Sequence, residues 1–187
     1  MENILRGMGK MNQMATSVNQ AIKDITNREG KYLTFSLGEE EYGIGILKVK
    51  EIIGLLPITA VPRTPAYVKG VINLRGKVIP VIDLRIKFGM AEKGYNEKTC
   101  IIVVEIKGLN NSVLMGIVVD AVSEVLNIRA GEIEEAPRFG TNLELDYISG
   151  IAKINGGVKI LLDIDKAISA EGINFLNHAA NSQDYVT

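Results

Sequence analysis

The residue types that most often carry catalysis are scarce in this chain. Its 187 residues include one histidine, His178, and one cysteine, Cys100. A Ser-His-Asp or Cys-His site needs its members within hydrogen-bond reach of each other, and His178 falls in a C-terminal stretch that we expect to fray. Cys100 opens an apolar run, where a thiol is usually a small core residue. We therefore predict no catalytic residues and, without a Cys/His cluster, no metal site.

Two aspartates remain as candidates for acid–base work, Asp83 and Asp163, because they occupy matching places in a sequence repeat. Paired carboxylates can act as general acid and base. Each aspartate nevertheless comes near the end of an apolar run, where its side chain can satisfy turn amides, and we favour that role. The run Gly43-Ile44-Gly45 lacks the third glycine of a dinucleotide fingerprint, and no phosphate-binding loop occurs. No cofactor is predicted.

The charge balance and composition bound the remaining functions. There are 21 basic and 22 acidic residues, a net charge of -1, which gives no electrostatic drive toward nucleic acid. A single cysteine excludes an internal disulfide framework and suggests a reducing compartment. No run approaches the ~20 apolar residues of a membrane span, and the first residues lack the apolar stretch of a signal peptide. We expect a cytoplasmic protein without direct membrane insertion.

The central region, from Lys31 to about Ala170, reads as mainly β. Glycines separate short apolar segments, a spacing typical of small barrels. The predicted strands are residues 32–37, 42–46, 71–74, 78–84, 100–106, 113–119, 151–154 and 158–164. Residues 47–53 fit either a strand or one or two helical turns, and residues 167–177 could form a short closing helix.

Residues 1–29 are predicted to form an N-terminal helix with a narrow apolar stripe, because apolar or small residues recur at alternating steps of four and three. The stripe consists of Ile4, Met8, Met11, Ala15, Val18, Ile22 and Ile25. It can dock on its own domain or fray as a tail, or it can bind a partner or a second copy. We favour a helix that docks on its own domain or frays over one that binds a partner.

The central region repeats itself. The sequence YVKGV at 67–71 recurs as YISGI at 147–151, an offset of 80 residues that Gly76 and Gly156 maintain. Upstream, VKE at 49–51 matches VSE at 122–124 with an offset of 73 residues. Two co-linear blocks of this kind predict two similar barrels.

The two units differ at one turn. Asn155-Gly156 is a strong signal for a two-residue hairpin, because both residues tolerate positive φ. The equivalent pair is Arg75-Gly76, and arginine is not a residue that a type I′ turn selects. We therefore expect a different turn there, with only Gly76 at positive φ. The mismatch favours a binding role for Arg75 over that of a solvated hairpin tip.

Binding of single-stranded nucleic acid is the alternative function, since small barrels often perform it. It needs a basic groove and stacking aromatic residues. The chain has no tryptophan, and aromatic residues make up 5% of it. Exposed apolar surface for protein partners therefore fits better, and nucleic acid is not a predicted partner.

Several segments together resemble the CheW-type chemotaxis coupling proteins. They are VPRTPAYVKGVINLRG at 61–76, VIPVIDLR at 78–85, EYGI at 41–44, VKEI at 49–52, GIVVD at 116–120 and VSEV at 122–125. The resemblance covers roughly residues 29–170. It implies two SH3-like five-stranded β-barrels around a shared apolar core. The N-terminal helix, which lies outside the resemblance, and the short C-terminal helix are predicted from the residue pattern alone.

The expected boundaries follow from this resemblance. Residues 1–29 are the helical extension, residues 30–170 the CheW-like domain, and residues 171–187 the tail. Within the domain, residues 30–90 approximate the first barrel and residues 98–166 the second, with strand exchange between them left open.

The resemblance implies an adaptor rather than an enzyme. Its implied partners are the cytoplasmic tip of methyl-accepting chemoreceptors and the regulatory domain of the histidine kinase CheA, which recruit it to membrane receptor arrays. A scaffold of the same family serving another sensory array is the runner-up. The implied receptor-binding residues are Ile46, Glu51, Arg75, Val122 and Val125, with Glu51 and Arg75 as an ion pair, and the implied kinase-binding residues are Val49 and Gly70.

Overall fold

The computed structural model describes residues 16–17, 28–108, 111–137 and 145–168. The predicted N-terminal helix falls outside these ranges except for Thr16 and Ser17, which are helical, and residues 28–29. The predicted tail over residues 171–187 and most of the predicted closing helix also lie outside the described residues.

Eleven strands lie in the described part of the chain. They are β1 (Gly30–Leu37), β2 (Glu40–Gly45), β3 (Val49–Gly54), β4 (Val68–Leu74), β5 (Lys77–Asp83), β6 (Cys100–Lys107), β7 (Ser112–Val119), β8 (Ala121–Ile128), β9 (Ile133–Glu134), β10 (Ile148–Ile154) and β11 (Gly157–Leu162). Short helical turns join them: 3-10 turns at Ile46–Lys48 and Ala130–Glu132, and the helices α1 (Leu84–Lys87) and α2 (Ile164–Ala167).

Each apolar segment predicted as a strand overlaps an observed strand. The segment 47–53 contains both predicted alternatives, since its first two residues belong to the 3-10 turn Ile46–Lys48 and the rest belong to β3. The sequence did not predict β8. Its apolar residues Val122 and Val125 are three apart, which breaks the two-residue alternation of a strand, because β8 contains a bulge at this place.

The strands form two sheets, and each draws on both halves of the chain. One sheet has the order β8-β1-β2-β11-β10-β9 and the other β3-β6-β7-β5-β4. We call them barrel 1 and barrel 2. Neither follows one contiguous range, 30–90 or 98–166, because β1 and β2 join four strands of the second half, and β6 and β7 join three of the first. This is the strand exchange that the sequence left open.

Buried apolar side chains along the strands point alternately to opposite faces of a sheet, and they pack into three apolar clusters. Along β6, Ile101 and Val103 point into barrel 2. Ile102 and Val104 point the other way, into a cluster shared with barrel 1, which we call the junction core. A third cluster, which includes Leu161, fills barrel 1. Each fully buried aliphatic side chain contributes ~1.5–3 kcal/mol, so the junction core binds the two barrels into one unit.

The chain passes from one barrel to the other at two places, which we call the crossings, and an ion pair stabilises each of them. The turn Ile46–Lys48 leads from β2 to β3, and Lys48 Nζ lies 2.5 Å from the Asp165 carboxylate on α2. Asp120 leads from β7 to β8, and its carboxylate lies 2.5 Å from Arg85 Nη1 on α1. Arg85 and Asp165 occupy equivalent repeat positions. The two crossings are therefore held in the same way but with opposite polarity.

Candidate protein-interaction site

The repeated aspartates have a structural role. The backbone N–H of Asp83 donates to the carbonyl of Tyr67 over 2.8 Å, and that of Asp163 donates to the carbonyl of Tyr147 over 2.8 Å. The Asp83 carboxylate accepts backbone N–H groups of α1, and the Asp163 carboxylate accepts one from α2. The predicted role in satisfying turn amides is confirmed.

The remaining candidates for chemistry in the described ranges are metal-ligand clusters and the Cys100 thiol. Among the residues that the structure describes, no group of three or more His, Cys, Asp or Glu side chains could hold a metal ion. The Cys100 thiol is half-buried against the junction core, and burial raises its pKa. Within the same ranges, no helix is long and apolar enough to cross a membrane.

Both repeated hairpins turn in the same way. Asn155 and Gly156 have φ of 52° and 75°, and Arg75 and Gly76 have φ of 52° and 84°. The predicted use of Gly76 alone at positive φ is therefore wrong, since Arg75 also adopts the left-handed conformation. A non-glycine residue there costs ~1–2 kcal/mol. The hairpin twist imposes it, because type I′ turns match the twist of the paired strands.

The strained arginine makes the expected ion pair with Glu51. Arg75 Nη1 and Nη2 lie 3.0 and 2.5 Å from the two Glu51 carboxylate oxygens, a bidentate geometry. The pair links the β4–β5 hairpin tip to the edge strand β3. The Arg75 side chain is 76% exposed and that of Glu51 27%. An exposed pair stabilises a fold by only ~0.2–1 kcal/mol, so folding alone does not account for the strained arginine.

Three of the predicted apolar site residues converge on the junction core. Ile46, Val49 and Val122 are half-buried against it. Val49 and Val122 are repeat equivalents, although the resemblance assigns them to different partners. Val125 lies farther along β8 and is 50% exposed. The structure therefore brings Ile46, Val49 and Val122 to one core and leaves Val125 available at the surface.

Gly70 presents no side chain to a partner and is buried. Its φ is 136°, and a Cβ there would lie 2.0 Å from the carbonyl oxygen of Thr59. Thr59 and Val71 exchange two backbone hydrogen bonds of 2.9 Å, which draw the Thr59 segment over Gly70. Gly70 therefore fixes the shape of this edge, and its assignment to kinase binding stays a prediction.

Two exposed apolar residues between the crossing turn and the end of β3 were not among the predicted site residues. Leu47, in the crossing turn, is 90% exposed, and Ile52, beside Glu51, is 46% exposed. Ile52 is the repeat equivalent of Val125, so the duplication itself was the signal that could have identified it. Each barrel thus carries one exposed aliphatic residue at the same place on its edge strand.

The fold and this surface define a class of protein: an adaptor built from two strand-exchanged barrels that offers apolar edges and an exposed ion pair. The comparisons with known proteins agree. A model of the CheW-like domain matches residues 31–172. The chemotaxis protein CheW of Klebsiella aerogenes is 42% identical over 152 residues, covering 81% of this chain and 89% of that protein. The CheW of Rhizobium meliloti is 34% identical over 154 residues, covering 82% and 97%.

A solved structure shares the fold. The scaffolding protein TtCheW from Thermoanaerobacter tengcongensis superposes with a TM-score of 0.68 at 39% identity, covering 77% of this chain and 95% of that one. The chain belongs to the CheW-like family of chemotaxis adaptors, and it is a scaffolding protein rather than an enzyme. The alternative expectation was a barrel protein that binds single-stranded nucleic acid, and the matching family is a different one.

Proposed function

We propose that this chain couples chemoreceptors to the kinase CheA by binding both at once, and that these partners recruit it to receptor arrays. The observation that carries the proposal is the exposed Glu51–Arg75 ion pair on a strained hairpin tip. Its position beside apolar surface suits a partner with both apolar and charged side chains.

The receptor tip is the partner proposed for the β8 edge and the ion pair. An amphipathic helix binds a groove or edge through regularly spaced apolar side chains. Val122 and Val125 offer two such contacts on β8. The charges of Glu51 and Arg75 then set orientation and specificity, because a partner that covers them partly desolvates both.

The kinase regulatory domain is the partner proposed for the second surface, which includes Val49 and the edge shaped by Gly70. The resemblance implies that this kinase domain has the same fold, so the two proteins can alternate in rings. Binding both partners raises the local concentration of kinase at the receptor.

The test distinguishes the effect of losing the ion pair from the effect of changing the residue in the turn. We expect Arg75→Ala and Glu51→Ala to change the melting temperature by no more than about 4 °C, since an exposed pair contributes little to stability. Both variants should lower kinase activation when the system is reconstituted with receptor-containing membranes. Arg75→Asn is the matched control for the turn, because Asn155 adopts the same φ at the equivalent position.

Arg75→Asn should therefore couple as poorly as Arg75→Ala while folding at least as stably as wild type. The charge swap of Glu51→Arg with Arg75→Glu should recover part of the activation if the two residues pair in the complex. Activation like wild type in both single variants would show that the pair is only a solvated surface feature.

A further inference from the structure

The strand β8 is fastened to barrel 1 in a way that barrel 2 does not share. In the β1–β8 ladder, Val125 is opposite Leu33 and Val122 is opposite Phe35, so β8 uses three steps where β1 uses two. The extra residue of this bulge lies opposite Thr34. Without a bulge, residues three apart would point to opposite faces of the sheet. With it, both valines lie on the face that Leu33 and Phe35 turn toward the junction core.

A buried hydroxyl makes two hydrogen bonds to the bulge. Thr34 is 0% exposed, its Oγ1 donates to the carbonyl of Glu124 over 2.9 Å, and it accepts from the N–H of Glu124 over 3.2 Å. One side chain thus pairs with both backbone groups of Glu124, a residue of the bulge. The equivalent residue in barrel 2 is Val103, at the equivalent irregularity of β3. Valine has the same shape but no hydroxyl.

A second contact reaches the bulge from across the sheet. Ser123 Oγ donates to Glu41 Oε1 over 3.0 Å. The other Glu41 oxygen forms an ion pair with Lys159, whose side chain is only 13% exposed. The chain of contacts runs from β11 through β2 to β8 and passes over β1. The equivalent positions in barrel 2 are Ile79 and Leu114, which pack in its apolar interior.

We propose that Thr34 and Glu41 are positioning residues for receptor binding. They add hydrogen bonds to the β8 bulge, which barrel 2 forms without them, and so fix the position of the face on which Val122 and Val125 meet the same helix. The inference rests on the proposed receptor contact of β8, and it adds two residues that do not themselves touch the receptor. Thr34 acts through Glu124, and Glu41 acts through Ser123.

The central test is Thr34→Val, which keeps the shape and removes both hydrogen bonds. We expect the affinity for a soluble chemoreceptor tip fragment to fall about tenfold, equivalent to the loss of roughly one buried hydrogen bond. The affinity for the CheA regulatory domain should stay within about twofold, since the site proposed for that domain is not on β8. Thr34→Ser should restore receptor binding because it returns the hydroxyl. A merely structural threonine would weaken both partners together.

A second variant covers the case in which Thr34→Val fails to fold. Ser123→Ala removes the link to Glu41 from an exposed position, and we expect a loss of about threefold in receptor-tip affinity. Ser112→Ala, at an exposed serine on β7, is the matched control and should bind like wild type. If Ser123→Ala and a folded Thr34→Val both bind the receptor tip like wild type, the proposal is overturned.

Hydrogen exchange separates this proposal from the proposed function. In Thr34→Val the amide of Glu124 should exchange faster than in wild type, whatever the receptor does. A wild-type chain that does not bind the receptor tip would refute the proposed function, whereas unchanged protection of the Glu124 amide in Thr34→Val would refute the positioning role.

Discussion

The two barrels share a strand order but differ in what fills them. Barrel 2 has an apolar interior, whereas equivalent positions in barrel 1 carry a buried threonine and a partly buried ion pair. The pairs of equivalent residues are Val103 and Thr34, Leu114 and Glu41, and Ile79 and Lys159. A duplicated fold can therefore keep its backbone pairing while one copy exchanges apolar packing for polar contacts. In this chain Thr34 and Glu41 each make a hydrogen bond to β8, the strand proposed to meet the receptor.

The edges of the barrels differ in a second respect. Gly70 and Gly150 are repeat equivalents, and each is covered by a neighbouring edge segment. A Cβ at Gly70 would meet the backbone of Thr59 at 2.0 Å, whereas at Gly150 it would meet the side chain of Ile133 at 2.7 Å and the Glu134 carbonyl at 3.1 Å. A side-chain end can move aside more easily than a backbone.

The largest expected effect tests this difference in the edges. Gly70→Ala should destabilise the fold by ~3–5 kcal/mol, because it combines a backbone clash with a φ of 136° that alanine disfavours. Gly150→Ala should lower the free energy of unfolding by ~1–3 kcal/mol, because the added methyl group overpacks against a side chain. Urea unfolding curves of the two variants measure both values. Equal losses would mean that the Thr59 segment yields as easily as Ile133.

An intermediate effect tests the difference in the interiors. Glu41→Leu combined with Lys159→Ile gives barrel 1 the residues of barrel 2. Replacing a partly buried ion pair with apolar residues is often neutral or stabilises by ~1–4 kcal/mol, so the double variant should melt at or above the wild-type temperature. Glu41→Leu alone should lower the free energy of unfolding by ~3 kcal/mol at most, because it leaves the largely buried Lys159 without its partner.

The control for the interior exchange is an exposed ion pair in the same barrel. Lys153 and Glu134 lie 2.7 Å apart, and both side chains are 60% exposed. Their apolar replacement, Lys153→Ile with Glu134→Leu, should change stability by less than ~1 kcal/mol in calorimetry. If the Glu41–Lys159 exchange destabilises the fold while this one does not, the polar interior contributes stability as well as position.

The smallest expected effect concerns the thiol at the start of β6. Burial raises the pKa of Cys100, so the thiolate fraction of the folded chain at a given pH is below that of the unfolded chain. Alkylation by iodoacetamide, followed by mass spectrometry between about pH 8 and 10, should be slower in the folded chain. Because the unfolded thiol loses its proton first as pH rises, stability should fall slightly across that window. Equal alkylation rates in the folded and urea-unfolded chains would show that the thiol is open to solvent.

Sequence patterns predicted the strands that alternate regularly, because one face of each meets an apolar core. They did not predict β8, since its bulge places Val122 and Val125 out of step with that alternation. They also could not decide which strands pair. Two contiguous barrels and two exchanged barrels bury the same faces of β1 and β6, so the apolar pattern is identical for both.

The sequence named candidate members of the site, whose roles stay predictions, but it did not predict their geometry. The resemblance supplied Glu51 and Arg75, and the conflict between arginine and turn chemistry drew attention to the hairpin. The conformation of Arg75 was mispredicted because local residue preference was weighed above the twist of the paired strands. Thr34 and Glu41 escaped notice because their roles depend on strands that are distant in sequence, 90 residues away for the partner of Thr34.

The exchanged strands set an order of events during synthesis. Lys159, on the strand that pairs with β2, lies 118 residues beyond Glu41. At ~5–20 residues per second, a ribosome takes roughly 6–24 s to supply that stretch. During this interval the newly made β2 has an unpaired edge, and β1 lacks β8 until residues 121–128 have been made. Nascent chains on neighbouring ribosomes can offer each other the same missing strands, so rapid expression should favour dimers in which two chains have traded halves.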